Sequence, residues 1–116
     1  MMSREHRLSS RTEFDRIWKR GRVVYGSFLA LRFLENNVKT PRFGIVVSLK
    51  VSKRATKRNL LRRRIREALR TQFLPNIKNY DIVIMTKAEA LTKSYKEIKE
   101  ELERLLHRAK LFYDHA

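Results

Sequence analysis

The stretch KRATKRNLLRRRIREALR, residues 53–70, combines side chains whose types and spacing fit the binding of a polyanion. It contains nine Lys or Arg residues, one acid and neither glycine nor proline. An arginine guanidinium can contact two phosphate oxygens at once, which favours phosphate as its partner. Extended back to Lys50, the segment has ten basic residues and one acid, so it contributes +9 of the net charge of +16.

Most of the basic side chains lie on an arc of the predicted helix beside and opposite its apolar stripe, and Arg64 lies on the other shoulder of the stripe. At about 100° per residue, Arg58, Arg62 and Arg66 form a ridge at positions i, i+4 and i+8. The apolar stripe lies on another side and consists of Leu61, Ile65, Ala68, Leu69 and Phe73. The candidate nucleic-acid-binding residues are Lys50, Lys53, Arg54, Lys57, Arg58, Asn59, Arg62, Arg63, Arg66 and Arg70.

A solvated helix face is the alternative interpretation of this stretch. It requires acids three or four residues away to relieve the repulsion between like charges. Only Glu67 is available, and it can serve Arg63 or Arg70. Asn59 places a neutral amide among the cations, where it can contact a sugar hydroxyl, a base edge or a hydrated metal ion, or simply be a surface residue.

The composition of the whole chain narrows the choice of partner. The chain has 116 residues, enough for one domain, and 42% of them are hydrophobic, as in a folded protein. A charge of this size is explained by a polyanion, with nucleic acid first and an anionic membrane surface second. Arginine dominates the basic stretch and no lipid-facing apolar helix is evident, which disfavours the membrane.

Catalytic and metal-binding patterns are missing from the sequence. There is no cysteine, and the acids are scattered rather than clustered as metal-dependent nucleases require. The three histidines, His6, His107 and His115, show no arrangement with a partner residue. We therefore expect no metal or other cofactor bound by the protein alone. No apolar run approaches a membrane span and no signal-peptide core is present, so we expect a cytoplasmic protein.

The elements that position the basic stretch follow from periodicity and turn residues. SSRTEFDRIWKRG predicts a helix with a Ser10–Glu13 capping box and a stop at Gly21. Three strands are predicted next, at residues 23–25, 28–34 and 42–50, and they read as an antiparallel meander. The basic helix follows and ends close to Pro75.

Two further elements complete the chain. YDIVIMTK predicts a strand whose continuous apolar run, residues 82–85, indicates burial on both faces. The last segment predicts a helix with a Ser94–Glu97 capping box and an apolar stripe. This stripe consists of Ile98, Leu102, Leu105, Ala109 and Phe112. The order αβββαβα predicts an α+β fold, a single-domain sandwich over residues 1–116 with helices packed on a small sheet.

The ordered set RFGIVVSLK, KRNLLRRRIREALR, RTEFDRIWKRG and YDIVIMTK resembles the protein family of bacterial ribonuclease P. The resemblance extends from about residue 7 to residue 112. It implies an αβββαβα fold with a small mixed sheet and a left-handed βαβ crossover through the basic helix, an exception to the usual handedness. It also implies an RNA-binding subunit of an endoribonuclease whose catalytic centre lies in its RNA subunit, with Mg²⁺ there.

The resemblance implies roles for particular residues. The motif Arg58, Asn59, Arg62, Arg63 and Arg66 would face the catalytic RNA. A cleft between the first helix and the sheet would take the single-stranded 5′ leader of precursor tRNA. Its residues by position are Phe14, Trp18, Leu29, Leu31, Val46, Ser48, Thr86 and Lys87. From the sequence alone, Phe14 and Trp18 also fit a plain core face with Ile17.

The sequence departs from the family pattern at several positions. Leu60 and Ser52 stand where the family usually has a basic residue and a glycine, and one extra residue separates Val51 from Arg58. Leu31 replaces an aromatic residue, and Lys87 replaces an arginine. The alternative function is a basic ribosomal or other structured-RNA-binding protein. A DNA-binding helix is a weaker alternative, because no helix-turn-helix partner precedes the basic helix.

Overall fold

The computed structural model describes residues 3–113, so residues 1–2 and 114–116, with His115 among them, lie outside it. The elements follow the predicted order αβββαβα. They are α1 (Arg11–Arg20), β1 (Arg22–Tyr25), β2 (Leu29–Glu35), β3 (Arg42–Val46), α2 (Ala55–Ala68), β4 (Tyr80–Thr86) and α3 (Tyr95–Arg108). A π-helical turn, Leu69–Phe73, and a 3-10 turn, Leu74–Asn76, carry the chain from α2 past Pro75.

The four strands form one mixed sheet in the order β1-β2-β4-β3. β4 pairs antiparallel with β2 and parallel with β3, so the predicted antiparallel meander is wrong, although the mixed sheet is confirmed. The most apolar strand takes the centre, because only a central strand is covered on both faces. Ile82, Val83 and Ile84 are fully buried, whereas Met85 is half-buried.

The larger core lies between the sheet and the two long helices. The predicted stripe of the basic helix is confirmed, because Leu61, Ile65 and Ala68 of α2 and the following Leu69 and Phe73 are all buried there. From α3, Ile98, Leu102 and Leu105 fill the same core, while Ala109 and Phe112 follow the helix and are half-buried. Burial of these side chains against the sheet fixes α2 with its basic residues turned outward.

α1 covers part of the opposite face of the sheet. Its N-terminus has the predicted capping box, in which the Ser10 hydroxyl accepts from Glu13 N–H and the Glu13 carboxylate accepts from Ser10 N–H. Ile17 packs with Leu8 and Val83 in a second, smaller core. Gly21 ends the helix as predicted and leads directly into β1.

A buried carboxylate ties α3 to the β1–β2 turn. Glu101 Oε2 accepts hydrogen bonds from the backbone N–H groups of Phe28 at 2.7 Å and Leu29 at 2.8 Å. Burial alone raises the pKa of Glu101, but these backbone hydrogen bonds outweigh it and leave the pKa below its usual value. Gly26 makes room for the carboxylate, since a Cβ atom there would lie 2.8 Å from Glu101 Oε2.

Candidate nucleic-acid interface

The cationic residues of α2 lie at the surface, as the sequence predicted. Arg63 and Arg66 are exposed, and Arg58 and Arg62 are half-buried along the edge of the apolar stripe. The basic surface also includes exposed Lys50, Lys53, Arg54, Lys57, Asn59 and Arg70. These ten residues form the basic surface referred to below.

Neutral carbonyl groups, rather than acids, orient the half-buried arginines. Arg58 donates to the Ser52 carbonyl at 2.8 Å, and Arg62 donates to Asn59 Oδ1 at 2.9 Å and more weakly to the Val47 carbonyl at 3.4 Å. A carbonyl holds the guanidinium in place without cancelling its charge. The positive charge of both arginines is therefore available to an external anion.

Only one basic residue of the stretch 53–70 pairs with an acid within the part of the chain that the structure describes. Arg70 donates to Glu67 Oε1 at 2.5 Å, and this hydrogen bond lowers the pKa of Glu67. At the other end of the stretch, Arg54 is the N-cap residue of α2 and the first turn has no acid. The positive end of the helix dipole therefore adds to the charge of the side chains there.

The open part of the sheet is defined by three rows of paired residues on the α1 face. The row Leu34, Asp81 and Arg42 and the row Val23, Arg32, Val83 and Gly44 are contacted by α1 and the residues before it. The third row consists of Tyr25, Ala30, Met85 and Val46. Tyr25 is 62% exposed and Val46 36%, whereas Ala30 is buried and Met85 is half-buried against the small core under α1. This row, open at its two ends, is called the floor below.

Two aromatic residues of α1 border this floor. Phe14 lies against Gly44, where a Cβ atom would come within 2.6 Å of the ring, so the glycine lets the ring rest on the sheet. Trp18 is 42% exposed, and the Arg32 guanidinium lies over its ring at 4.8 Å. Exposed aromatic faces beside a cationic side chain are suited to stacking with unpaired bases.

A polar network fixes α1 at this position. Arg42 holds the buried Asp81 carboxylate through two bonds of 2.8 Å and reaches Glu13 of the capping box at 2.5 Å. Arg16 adds a third contact to Asp81 at 3.3 Å. Burial raises the pKa of Glu13, but hydrogen bonds from the backbone N–H groups of Ser10 and Ser9 and the charge of Arg42 lower it by more. The pKa of Glu13 therefore lies below its usual value.

The prediction of Leu29 and Leu31 as cleft residues is wrong. Both are fully buried on the opposite face, in the core with α2 and α3. Successive strand residues point to opposite faces, so a displacement of one residue in the assignment reverses every side chain. The residues of β2 that face α1 are Ala30, Arg32 and Leu34.

Four other predicted cleft residues lie at or near the end of the floor. Val46 belongs to it, and Ser48 and Lys87 are exposed just beyond the strand ends. Thr86 pairs with Leu29 and therefore lies on the opposite side of the sheet from Val46, to whose carbonyl its hydroxyl donates at 3.1 Å. The structure thus places Thr86 at the rim and not on the floor.

Sequence reasoning missed Tyr25, Ala30, Arg32 and Met85 of this face. The signal for Tyr25 was present, because an aromatic residue ends a short strand next to Gly26. Ala30, the partner of Tyr25 in this row, could be identified only once the strand register was known. The basic surface adjoins the floor, because Val47 follows Val46 and its carbonyl accepts from Arg62.

The described residues include no group of three or more His, Asp or Glu side chains that could hold a metal ion. His6 lies near the Pro41 carbonyl, with Nδ1 at 2.9 Å. No helix within the described range 3–113 is long and apolar enough to cross a membrane.

The sequence matches a known protein family over nearly its whole length. The model of the family described as Ribonuclease P matches residues 2–110. The chain is 39% identical to the ribonuclease P protein component of a Picosynechococcus species, with 98% of each chain covered. It is 37% identical to that of Clostridium novyi, with 96% of this chain and 99% of the relative covered.

Solved structures show the same fold. The RNase P protein of Staphylococcus aureus superimposes with a TM-score of 0.85 at 29% identity, covering 93% of this chain and 98% of that chain. The RNase P protein of Thermotoga maritima gives a TM-score of 0.79 at 31% identity, covering 88% and 96%. A family model matching nearly the whole chain, relatives of equal length and a shared fold lead to one conclusion: this chain belongs to the ribonuclease P protein family.

Proposed function

We propose that the protein binds the catalytic RNA of ribonuclease P with its basic surface and the 5′ leader of precursor tRNA with the floor beside α1. Family membership makes the chain a component of an endoribonuclease that processes the 5′ end of tRNA and gives it an RNA partner. The main support for the two binding surfaces is that the floor and the basic surface meet where β3 ends, at Val46 and Val47. One RNA assembly can therefore occupy both surfaces.

The chemistry of a leader supports its place on the floor. A single-stranded segment exposes base faces, which can stack on Trp18 and Tyr25, and a phosphate backbone, which a cationic groove attracts. Lys87 and Lys50 supply exposed cations near the strand ends. The motif Arg58, Asn59, Arg62, Arg63 and Arg66 then serves the catalytic RNA, because its side chains point away from the core.

In this proposal, the RNA subunit with its Mg²⁺ cleaves the phosphodiester bond, and the protein contributes binding. By neutralising phosphates, the basic surface would lower the repulsion between catalytic RNA and substrate and so reduce the Mg²⁺ concentration that the complex needs. Precursor tRNA and the catalytic RNA are the proposed partners, in the cytoplasm. Family membership favours this function over a basic ribosomal protein.

Reconstitution of the full chain with a bacterial ribonuclease P RNA tests the proposal. The Kd of precursor tRNA and of mature tRNA is measured with and without protein over a Mg²⁺ series. We expect tighter binding of the precursor only, cleavage at lower Mg²⁺, and no cleavage by protein alone. If the protein changes neither the precursor Kd nor the Mg²⁺ requirement, the proposed function is wrong.

A further inference from the structure

A second groove lies on the flank of α2 that is opposite Arg58 and Arg62. It is bordered by α2 and by the 3-10 turn Ala88–Thr92, and its volume is about 330 Å³. Its walls include Leu60 and Leu91 as apolar side chains and Lys57 and Arg64 as cations. Neither the ten-residue basic surface nor the cleft includes Leu60, Arg64 or Leu91.

The apolar wall of the groove is fixed and accessible. Leu60 is 43% exposed, whereas Leu61 beside it is buried in the core. Leu91 packs against the same core from the other side of the groove. The groove therefore presents apolar area to solvent from two elements that the core holds in place.

The rim of the groove is cationic. Lys57 and Arg64 are seven residues apart, which is about 10 Å along one helix face, so one cation lies on each side of Leu60. Arg64 donates to the Lys93 carbonyl at 3.2 Å, which holds its guanidinium across the groove. A guanidinium has five N–H donors, so this bond leaves others for a phosphate, and its planar face can stack on a base.

We propose that this groove binds one unstacked nucleobase of the partner RNA, with the flanking phosphates on Lys57 and Arg64. The combination of an apolar wall with cations on both sides is complementary to a base and its phosphates. No acid lines the groove among the described residues. The proposal rests on the proposed function in one respect, namely that the partner is the catalytic RNA.

The groove also accounts for Leu60 within the basic helix. A leucine at this position removes one charge from the motif but supplies the apolar wall opposite Leu91. The binding contribution of Leu60 is then apolar and independent of salt, unlike that of its arginine neighbours. This difference provides the test.

The first measurement is the Kd of the catalytic RNA for Leu60→Ser over a series of KCl concentrations. We expect binding weaker by about fivefold, with an unchanged slope of log Kd against log salt, since no charge is removed. The matched control is Val38→Ser, because Val38 is 41% exposed but lies in the β2–β3 turn. Circular dichroism and the melting temperature establish that both variants fold.

The second measurement locates the base. The natural chain has no cysteine, so Ala88→Cys provides a unique thiol at the groove for a photo-crosslinker. We expect crosslinks at an unpaired nucleotide of the catalytic RNA. Deleting that nucleotide should make wild-type protein and Leu60→Ser bind equally.

The outcomes separate this proposal from the proposed function. If Arg62→Ala weakens RNA binding while Leu60→Ser does not, the groove proposal is overturned and the proposed function stands. If neither substitution has an effect on RNA binding, the groove proposal and the proposed function are both overturned. Crosslinks only to base-paired RNA, or Leu60-dependent binding to phosphatidylserine vesicles without an effect on RNA, would also overturn the groove proposal.

Discussion

At the scale of single residues, the basic surface contains two kinds of arginine. Arg62 is held by carbonyl groups, while Arg70 donates to the Glu67 carboxylate. An arginine oriented by neutral groups offers its full charge to phosphate with little conformational entropy left to lose. An arginine paired with an acid must exchange one partner for another, and it gains less.

This difference predicts unequal effects of Arg62→Ala and Arg70→Ala on binding of the catalytic RNA. We expect Arg62→Ala to weaken binding by about tenfold at low salt and to reduce the salt slope by about one. Arg70→Ala should have a smaller effect, because the Arg70 guanidinium is already paired with the Glu67 carboxylate and must give up this partner before it contacts phosphate. Filter binding at five KCl concentrations measures the affinity and the salt slope of both variants. Equal slopes for the two variants would contradict this prediction.

The exposed ring of Tyr25 leads to a prediction about the leader. Tyr25→Ala should weaken binding of leader-bearing tRNA by about five- to tenfold, since stacking on an aromatic ring contributes about 1–3 kcal/mol per base. Binding of mature tRNA should not change. Tyr113→Ala is the control, because Tyr113 is 44% exposed but follows α3 and is distant in sequence from the floor. Equal loss with and without the leader would exclude Tyr25 from the leader site.

At the scale of elements, Glu101 connects α3 to the strand that supports the floor. Glu101→Ala would leave the buried N–H groups of Phe28 and Leu29 without an acceptor and destabilise the fold by about 2–4 kcal/mol. Chemical unfolding of this variant and of Glu103→Ala, an exposed site on the same helix, measures the difference. A loss below about 1 kcal/mol would show that the turn finds another acceptor.

The lowered pKa of Glu101 gives this contact a pH dependence. A carboxyl group with a lower pKa in the folded state stabilises the fold fully above its unfolded-state pKa. That stability is lost as the pH falls through the folded-state pKa. We therefore expect unfolding free energy to decline below about pH 4.5 less steeply in Glu101→Gln than in the wild type. Parallel slopes for the two proteins would contradict this assignment.

Local signals in the sequence predicted the helices well. Both capping boxes and the apolar stripe of α2 depend on residues at most a few turns apart, and all are present in the structure. The position of β4 between β2 and β3 depends on pairs of residues that are 39 to 57 positions apart, such as Arg42 with Asp81 and Leu29 with Thr86, and no local pattern determined it. The apolar pair Leu29 and Leu31 fits either face of a strand by composition, so only the observed register assigns them to the core.

At the scale of the whole molecule, the charge is unevenly distributed. Residues 50–70 carry +9, and the remaining 95 residues together carry +7. The helix α3 contains Glu97, Glu100, Glu101 and Glu103 and packs against α2 on the core side. The surface that faces RNA in our proposal is therefore the most positive part of the molecule, which steers a polyanion toward it.

This distribution predicts opposite effects of salt on stability and on binding. Like charges on the free protein repel one another, and salt screens this repulsion over a Debye length of about 10 Å at 0.1 M. The melting temperature of the free protein should therefore rise by several degrees between 0.05 and 0.5 M KCl, because screening relieves roughly 1–2 kcal/mol of repulsion. The melting temperature of the complex with catalytic RNA should fall over the same range, because salt weakens phosphate binding.

Differential scanning fluorimetry of protein alone and with saturating RNA measures both trends. The variant Arg62→Ala, with one charge fewer, should melt higher than the wild type at 0.05 M and lower in the presence of RNA. A melting temperature of the free protein that falls with salt would show that attractive pairs such as Arg42 with Asp81 outweigh the repulsion within residues 50–70.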